Sequence, residues 1–261
     1  MTLRSLFAYR GSSSSRADVV LAVVAFILFI GGWELLAEFE VISPRFLPSP
    51  WRVVKALYGM FAEHNFIKDV GISVARVWSA FLLSVVMAVP LGIWMSNYRI
   101  VGTLTEPIID FIRYLPVPAL VPLLIIWFGI GESSKIAVLW MGTFFQLVLL
   151  IADDAKRVPR EFIEIGYTLG ARPRQITRDI ILRSMLPSMV DNLRITLGWC
   201  WTYLIIAEIV AANSGIGYAI WSMRRFVRTP EVMGGILTVG IIGLITDQAI
   251  RLLHRRAFRY L

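Results

Sequence analysis

Apolar residues fall along this chain in long blocks rather than at scattered periodic positions. Residues 19–33, 77–98, 114–131 and 136–152 contain no Asp, Glu, Lys or Arg, 195–223 is interrupted only by Glu208, and 232–246 is again uncharged. A spanning helix needs roughly 20 mostly apolar residues, a length the shorter blocks reach by adding flanking turns. The pattern predicts an all-α membrane protein with six transmembrane helices. Between the first two blocks, Ser43-Pro44 through Pro48-Ser49-Pro50 cannot continue a helix. Pro50 suits the first turn of a new one, with Val53, Val54, Leu57 and Phe61 on one face, lying on the membrane surface. Leu104 to Arg113 reads as an amphipathic approach to the third span, with Asp110 and Arg113 one turn apart. Gly129 and Gly131 mark a tight turn into the fourth.

Composition agrees with the blocks. The 261 residues are 57% hydrophobic and 17% charged, more apolar surface than a soluble domain of this length can bury. Residues 1–17, with the serine run 12–15, read as a tail, and 18–261 as one membrane domain without an internal repeat. The first block lacks a small-residue cleavage site and reads as a retained helix. Cys200 is the single cysteine, so no disulfide can form within the chain.

Charge sets the expected orientation. Arg4, Arg10 and Arg16 precede the first block, Arg251, Arg255, Arg256 and Arg259 follow the last, and the segment 153–187 carries Lys156, Arg157, Arg160, Arg172, Arg174, Arg178 and Arg183. With six spans these three regions share one side, which the excess of Lys and Arg makes cytoplasmic, so both termini are expected inside. The net charge of +8 comes mostly from these segments. Anionic lipid accounts for it, and nucleic acid is not implied.

The segment 153–187 is too polar for lipid. Pro159 suits the start of a helix over residues 161–169, with Phe162, Ile165 and Leu169 on one face and Glu161, Glu164 and Thr168 on another. Gly170 can take the left-handed conformation that ends a helix. A second helix from Pro173 turns Ile176 and Ile180 inward and Arg174 and Arg178 outward, with Asp179 and Arg183 one turn apart. From charge alone, such a loop serves equally as a topology anchor. Its spacing is more specific: Glu164, then Gly170 six residues later, then a helix closing on Leu186-Pro187.

These residues resemble the "EAA" loop of binding-protein-dependent ABC importer permeases of the type I fold. Asn192 to Glu208, Asn213 to Tyr218 and Arg113 to Gly129 resemble the nitrate/sulfonate/taurine/bicarbonate group, so that the likeness runs over residues 30–255. Two departures stand out: Glu164-Ile165-Gly166 replaces Glu-Ala-Ala, and Arg183 stands where many relatives have a proline. The resemblance implies a homodimer in the bacterial inner membrane, two ABC ATPase subunits on the cytoplasmic side, and a periplasmic or lipid-anchored solute-binding protein outside. It implies import of a small anion, with Glu161, Glu164, Gly166, Gly170, Ala171, Arg174 and Pro187 coupling the loop, as a coupling helix, to the ATPase. The chain has no phosphate-cradling Gly-x-x-x-x-Gly-Lys-Ser/Thr motif. ATP and Mg are therefore expected on the partner ATPase, and no cofactor on this non-catalytic subunit.

Other residues keep two readings. Pro116, Pro118 and Pro122 either interrupt the third span at the path or merely kink it. Glu208 is either a path acid or a structural carboxylate. Trp199, Trp201 and Tyr203 either gate a solute or pack, and Tyr114 and Trp127 are further candidates for the path. Arg224, Arg225 and Arg228 either dock the receptor or form a solvated face. The rival functions are a self-contained secondary carrier or channel, and an intramembrane enzyme. The only histidines, His64 and His254, fall in an outer loop and a tail and suggest neither a metal site nor a base.

Overall fold

The computed structural model describes residues 15–63 and 65–259. Most of the expected tail and His64 lie outside them. All regular structure among the described residues is helical. The helices are α1 (Ser15–Glu38), α2 (Pro50–Glu63), α3 (Phe66–Asn97), α4 (Arg99–Arg113), α5 (Val117–Phe128), α6 (Glu132–Lys156) and α7 (Arg160–Thr168). Next, α8 starts with the short turn Pro173–Gln175, passes through a π-helical turn, Ile176–Ile181, and continues as Leu182–Ala211. The last two are α9 (Ile216–Arg225) and α10 (Thr229–Ala257).

Five helices are long and apolar enough to cross a bilayer, namely α1, α3, α6, α8 and α10. The expected third span is different. It is a pair, α4 and α5, bent by 103° at Tyr114–Pro116, so that a sixth span exists only if the bent pair is counted as one. The cause is in the sequence: Pro116 precedes α5 and Pro118 lies in its first turn, so the α4 hydrogen-bond ladder cannot run on. With 12 residues, α5 is about 18 Å long, well short of a hydrocarbon core of about 30 Å. The block 195–223 also divides, because Ala212 turns to extended backbone and Gly215 takes φ 107° before α9.

The core is built on α3 against α6, with α8 packed on both. On α3, Ala80, Ser84, Ala88 and Gly92 recur every fourth residue, and all are buried. This stripe of small side chains lets the two backbones close in, as membrane helices do when lipid offers no hydrophobic drive to associate. Ser84 Oγ and Thr143 Oγ1 share a hydrogen bond of 2.8 Å across the seam. A Cβ on Gly92 would stand 2.7 Å from the Val148 carbonyl oxygen and 2.8 Å from Ile151 Cβ. Gly92→Ala is therefore expected to cost about 1–3 kcal/mol, as overpacking does. The thermal midpoint of the purified protein checks this, and an unchanged midpoint would contradict it.

Around this pair, α10 packs on α2, α8 and α9. The face that α2 turns inward is Val53, Leu57 and Met60, while Val54 is 55% exposed, so the expected face is rotated by part of a turn. By contrast, α1 packs mainly on α2 among the described residues and leaves most of its apolar side chains exposed, as a lipid-facing helix does, with Asp18 and Glu38 exposed at its two ends. Trp33 Nε1 of α1 donates to the carbonyl of Pro48, in the segment leading into α2, at 3.0 Å.

Candidate functional site: a polar bracket, an ion clamp and a mid-depth cavity

At one end of the bundle, α7 and the first turns of α8 form a bracket. Thr168 Oγ1 donates to the Glu164 carbonyl at 2.9 Å within α7. The helix stops at Gly170, whose φ of +79° is left-handed; its N–H reaches the Tyr167 carbonyl at 2.9 Å and that of Ala171 reaches Gly166 at 3.0 Å. Gln175 then caps the next helix, its Oε1 accepting from the Arg172 N–H at 2.8 Å. Gly166 is the buried residue of α7, resting on Ile176 and Ile180 of the π-turn. Ile176 is buried and Arg178 exposed, as their spacing predicts, and Arg183 Nη2 stands 3.7 Å from Asp179.

The apolar flank beside Gly166 is open to solvent. Phe162, Ile165 and Leu169 are 50%, 56% and 81% exposed, and Tyr167 adds to them. Glu161, Glu164 and Arg174 are exposed beside this surface, while Ala171 and Pro187 are half-buried. A rigid element that is too charged for lipid, yet carries an apolar face, is built to meet another protein.

At the other end lies a buried ion clamp. Glu208 is fully buried. Its Oε1 accepts from Ser73 Oγ and Arg76 Nη1, both at 2.7 Å, and its Oε2 accepts from the Gly217 N–H at 2.7 Å. Arg76 also forks onto Glu132 at 2.6 and 2.7 Å and donates to the Ser214 carbonyl at 2.8 Å. Lys135 Nζ donates to Glu132 at 2.8 Å. Asp69 and Ser73 then take the N–H groups of Gly215 and Ile216, at 2.7 and 2.9 Å. The two cations match Glu132 and Glu208, and the clamp ties α3, α6 and α8 to the start of α9. A side chain on Gly215 would collide with the Glu208 carboxylate, so glycine is required there twice over. Arg76 escaped the sequence reading because it sits one residue before an uncharged block. Opposite charges at the same end of two spans, Arg76 opening α3 and Glu208 closing α8, were the available signal.

Between these ends a cavity of about 300 Å³ opens among the α4–α5 bend, α6 and α8. Its polar wall is Arg113, Gln146, Trp199, Thr202 and Tyr203. On α6, Gly142 lies about 15 Å from the Glu132 end and about 21 Å from the Lys156 end, at about 1.5 Å per residue, which places the cavity at mid-depth. The Tyr203 ring packs onto Gly142, where no side chain would fit. Of the residues weighed for a path, Trp199 and Tyr203 line this cavity. Tyr114, Pro116, Pro118 and Trp127 do not, and Glu208 is enclosed in the clamp instead. Tyr114 and Trp127 are 75% and 64% exposed on the bent pair. Arg224, Arg225 and Arg228 are exposed at the end of α9 and beyond it, Arg224 over the Trp221 ring and Arg228 bonded to Glu231 at 2.9 Å.

A bundle with a broken span, a polar cavity at mid-depth and an apolar-faced bracket outside the lipid defines the membrane subunit of a transporter with several components. Residues 80–259 match the family described as binding-protein-dependent transport system inner membrane component, and the chain belongs to it. It is 32% identical over 244 residues to the taurine transport system permease protein TauC of Escherichia coli, covering 92% of this chain and 89% of that protein. A protein of Methanocaldococcus jannaschii named as an ABC transporter permease is 34% identical over 246 residues, 92% of each chain. The E. coli protein SsuC, named as an aliphatic sulfonates transport permease, is 32% identical over 228 residues, 87% of each. Among solved structures, an inward-facing form of the MetNI methionine ABC transporter shares the fold, with a TM-score of 0.61, 20% identity and coverage of 75% of this chain and 95% of that one. The protein is thus an ABC transporter permease, a membrane subunit without catalytic machinery of its own.

Proposed function

We propose that this permease imports a small anionic solute, a sulfonate such as taurine in the first instance, from periplasm to cytoplasm. Nitrate and bicarbonate are the next candidates. Two copies enclose the path, a pair of ATPase subunits grips the 153–187 bracket, and a solute-binding protein docks on the opposite side with help from Arg224, Arg225 and Arg228. The protein sits in the bacterial inner membrane with both termini on the bracket side, where the basic segments 153–187 and 251–259 concentrate. ATP and Mg belong to the partner; Glu161, Glu164, Gly166, Gly170 and Arg174 of this chain transmit the stroke.

One observation carries this reading: the bracket offers Phe162, Ile165 and Leu169 to the aqueous side on a stiff two-helix support. A self-contained carrier has no use for that surface. The test is reconstitution in vesicles with the cognate ATPase and binding protein, following labelled taurine, nitrate and bicarbonate. ATP-dependent uptake of one of these, only when all three components are present, is expected. Uptake by the permease alone down a gradient would favour the carrier.

A further inference from the structure

We propose that the mid-depth cavity is a binding subsite for a small oxoanion, with the Arg113 guanidinium as its cation, so that the permease itself selects solute. This deepens the importer reading and rests on it for the direction of solute flow, though not for the chemistry of the site.

The polar groups around the cavity are unspent. Gln146, Trp199 and Tyr203 make no hydrogen bond to another described side chain, although they lie among apolar spans. Thr202 Oγ1 reaches only the Gly198 carbonyl of its own helix, at 3.4 Å. Polar groups at that depth are retained where protein, water or a solute completes them. Together they supply indole N–H, amide N–H and hydroxyl donors, which suit oxygen acceptors.

Arg113 is only partly committed, to Asp110 and Tyr114. Its Nε stands 3.0 Å from Asp110 Oδ1 without the alignment of a hydrogen bond. Its Nη2 donates to Tyr114 Oη at 3.0 Å, and the guanidinium lies 4.7 Å from that ring. The Nη1 edge is uncommitted. A forked donor of this kind matches the planar or tripod oxygens of carboxylates, nitrate and sulfonates. Asp110 is 43% exposed and lies outside the cavity wall, so water screens its charge more than a solute at the guanidinium would be screened. The acid that would repel an anion, Glu208, is held in the clamp and balanced by Arg76. At about 300 Å³ the space falls at the small end for ligand pockets, right for a solute of a few heavy atoms.

The test needs neither ATP nor knowledge of the natural solute. Thr202→Cys places a thiol in the wall, and the parent chain, with only the buried Cys200, gives the background. Modification by anionic 2-sulfonatoethyl methanethiosulfonate is compared with the cationic trimethylammonium analogue, each normalised to its rate with a free thiol. The anionic reagent is expected to be favoured by about tenfold, the scale of one partly screened charge. Arg113→Gln removes that preference and Arg113→Lys keeps it. Millimolar methanesulfonate slows modification, while choline does not. A ratio unchanged by Arg113→Gln, or no modification of Thr202→Cys above background, overturns the subsite. Failure of ATP-driven uptake with the charge preference intact would instead count against the importer reading alone.

Discussion

Replacing Arg76 with methionine is expected to cost about 3–5 kcal/mol, the range for breaking a buried pair by removing one partner. The loss is large because Glu208 is fully enclosed and would keep Ser73 and Gly217 as its only donors. Lys135 cannot substitute, since it is committed to Glu132 on the exposed side of the clamp. The thermal midpoint and yield of the solubilised protein report the change. Arg76→Met with Glu208→Met should recover part of it, because Glu208 is then no longer a fully buried charge without its cation. Equal midpoints for the parent and Arg76→Met would show that the clamp contributes nothing to stability.

Substituting Phe162 and Ile165 together by aspartate is expected to disconnect the permease from its motor. Both side chains are about half exposed and touch little within the chain, so the folded state should keep its thermal midpoint. Loss of two apolar anchors from a protein interface costs about 2–4 kcal/mol, which is about 30- to 1000-fold in affinity. Co-purification of the ATPase and ATP-driven uptake should fall together. Retained association at wild-type strength would mean that the partner holds some other surface.

Much of this was legible in the residues. The uncharged blocks placed five of the spans because charge is excluded from lipid, and the bracket's glycine and prolines punctuate its helices where their backbone chemistry demands. Which face of α7 would be covered was harder. Periodicity found the apolar side, but small Gly166 lies against the π-turn and the larger residues face out. Surface position reversed the usual sense of an apolar face. The bend before α5 showed as a cluster of prolines, without its angle. The π-turn at Ile176–Ile181 left no mark, since the same residues read equally well as an α-helix. The clamp was hidden because it joins residues 132 positions apart in the chain, Arg76 and Glu208. Matching charges at one end of two spans hinted at the pair, and the three-dimensional arrangement joins them.

The small-residue seam has a mechanical corollary. Helices interlocked so tightly that a methyl has no vacancy cannot glide past one another or swivel without first separating, so α3 and α6 travel as a single plank. On the coupling proposed above, any displacement of the bracket would be taken up at the plank's margins, at the elbow before α5 and the wide coil opening α8.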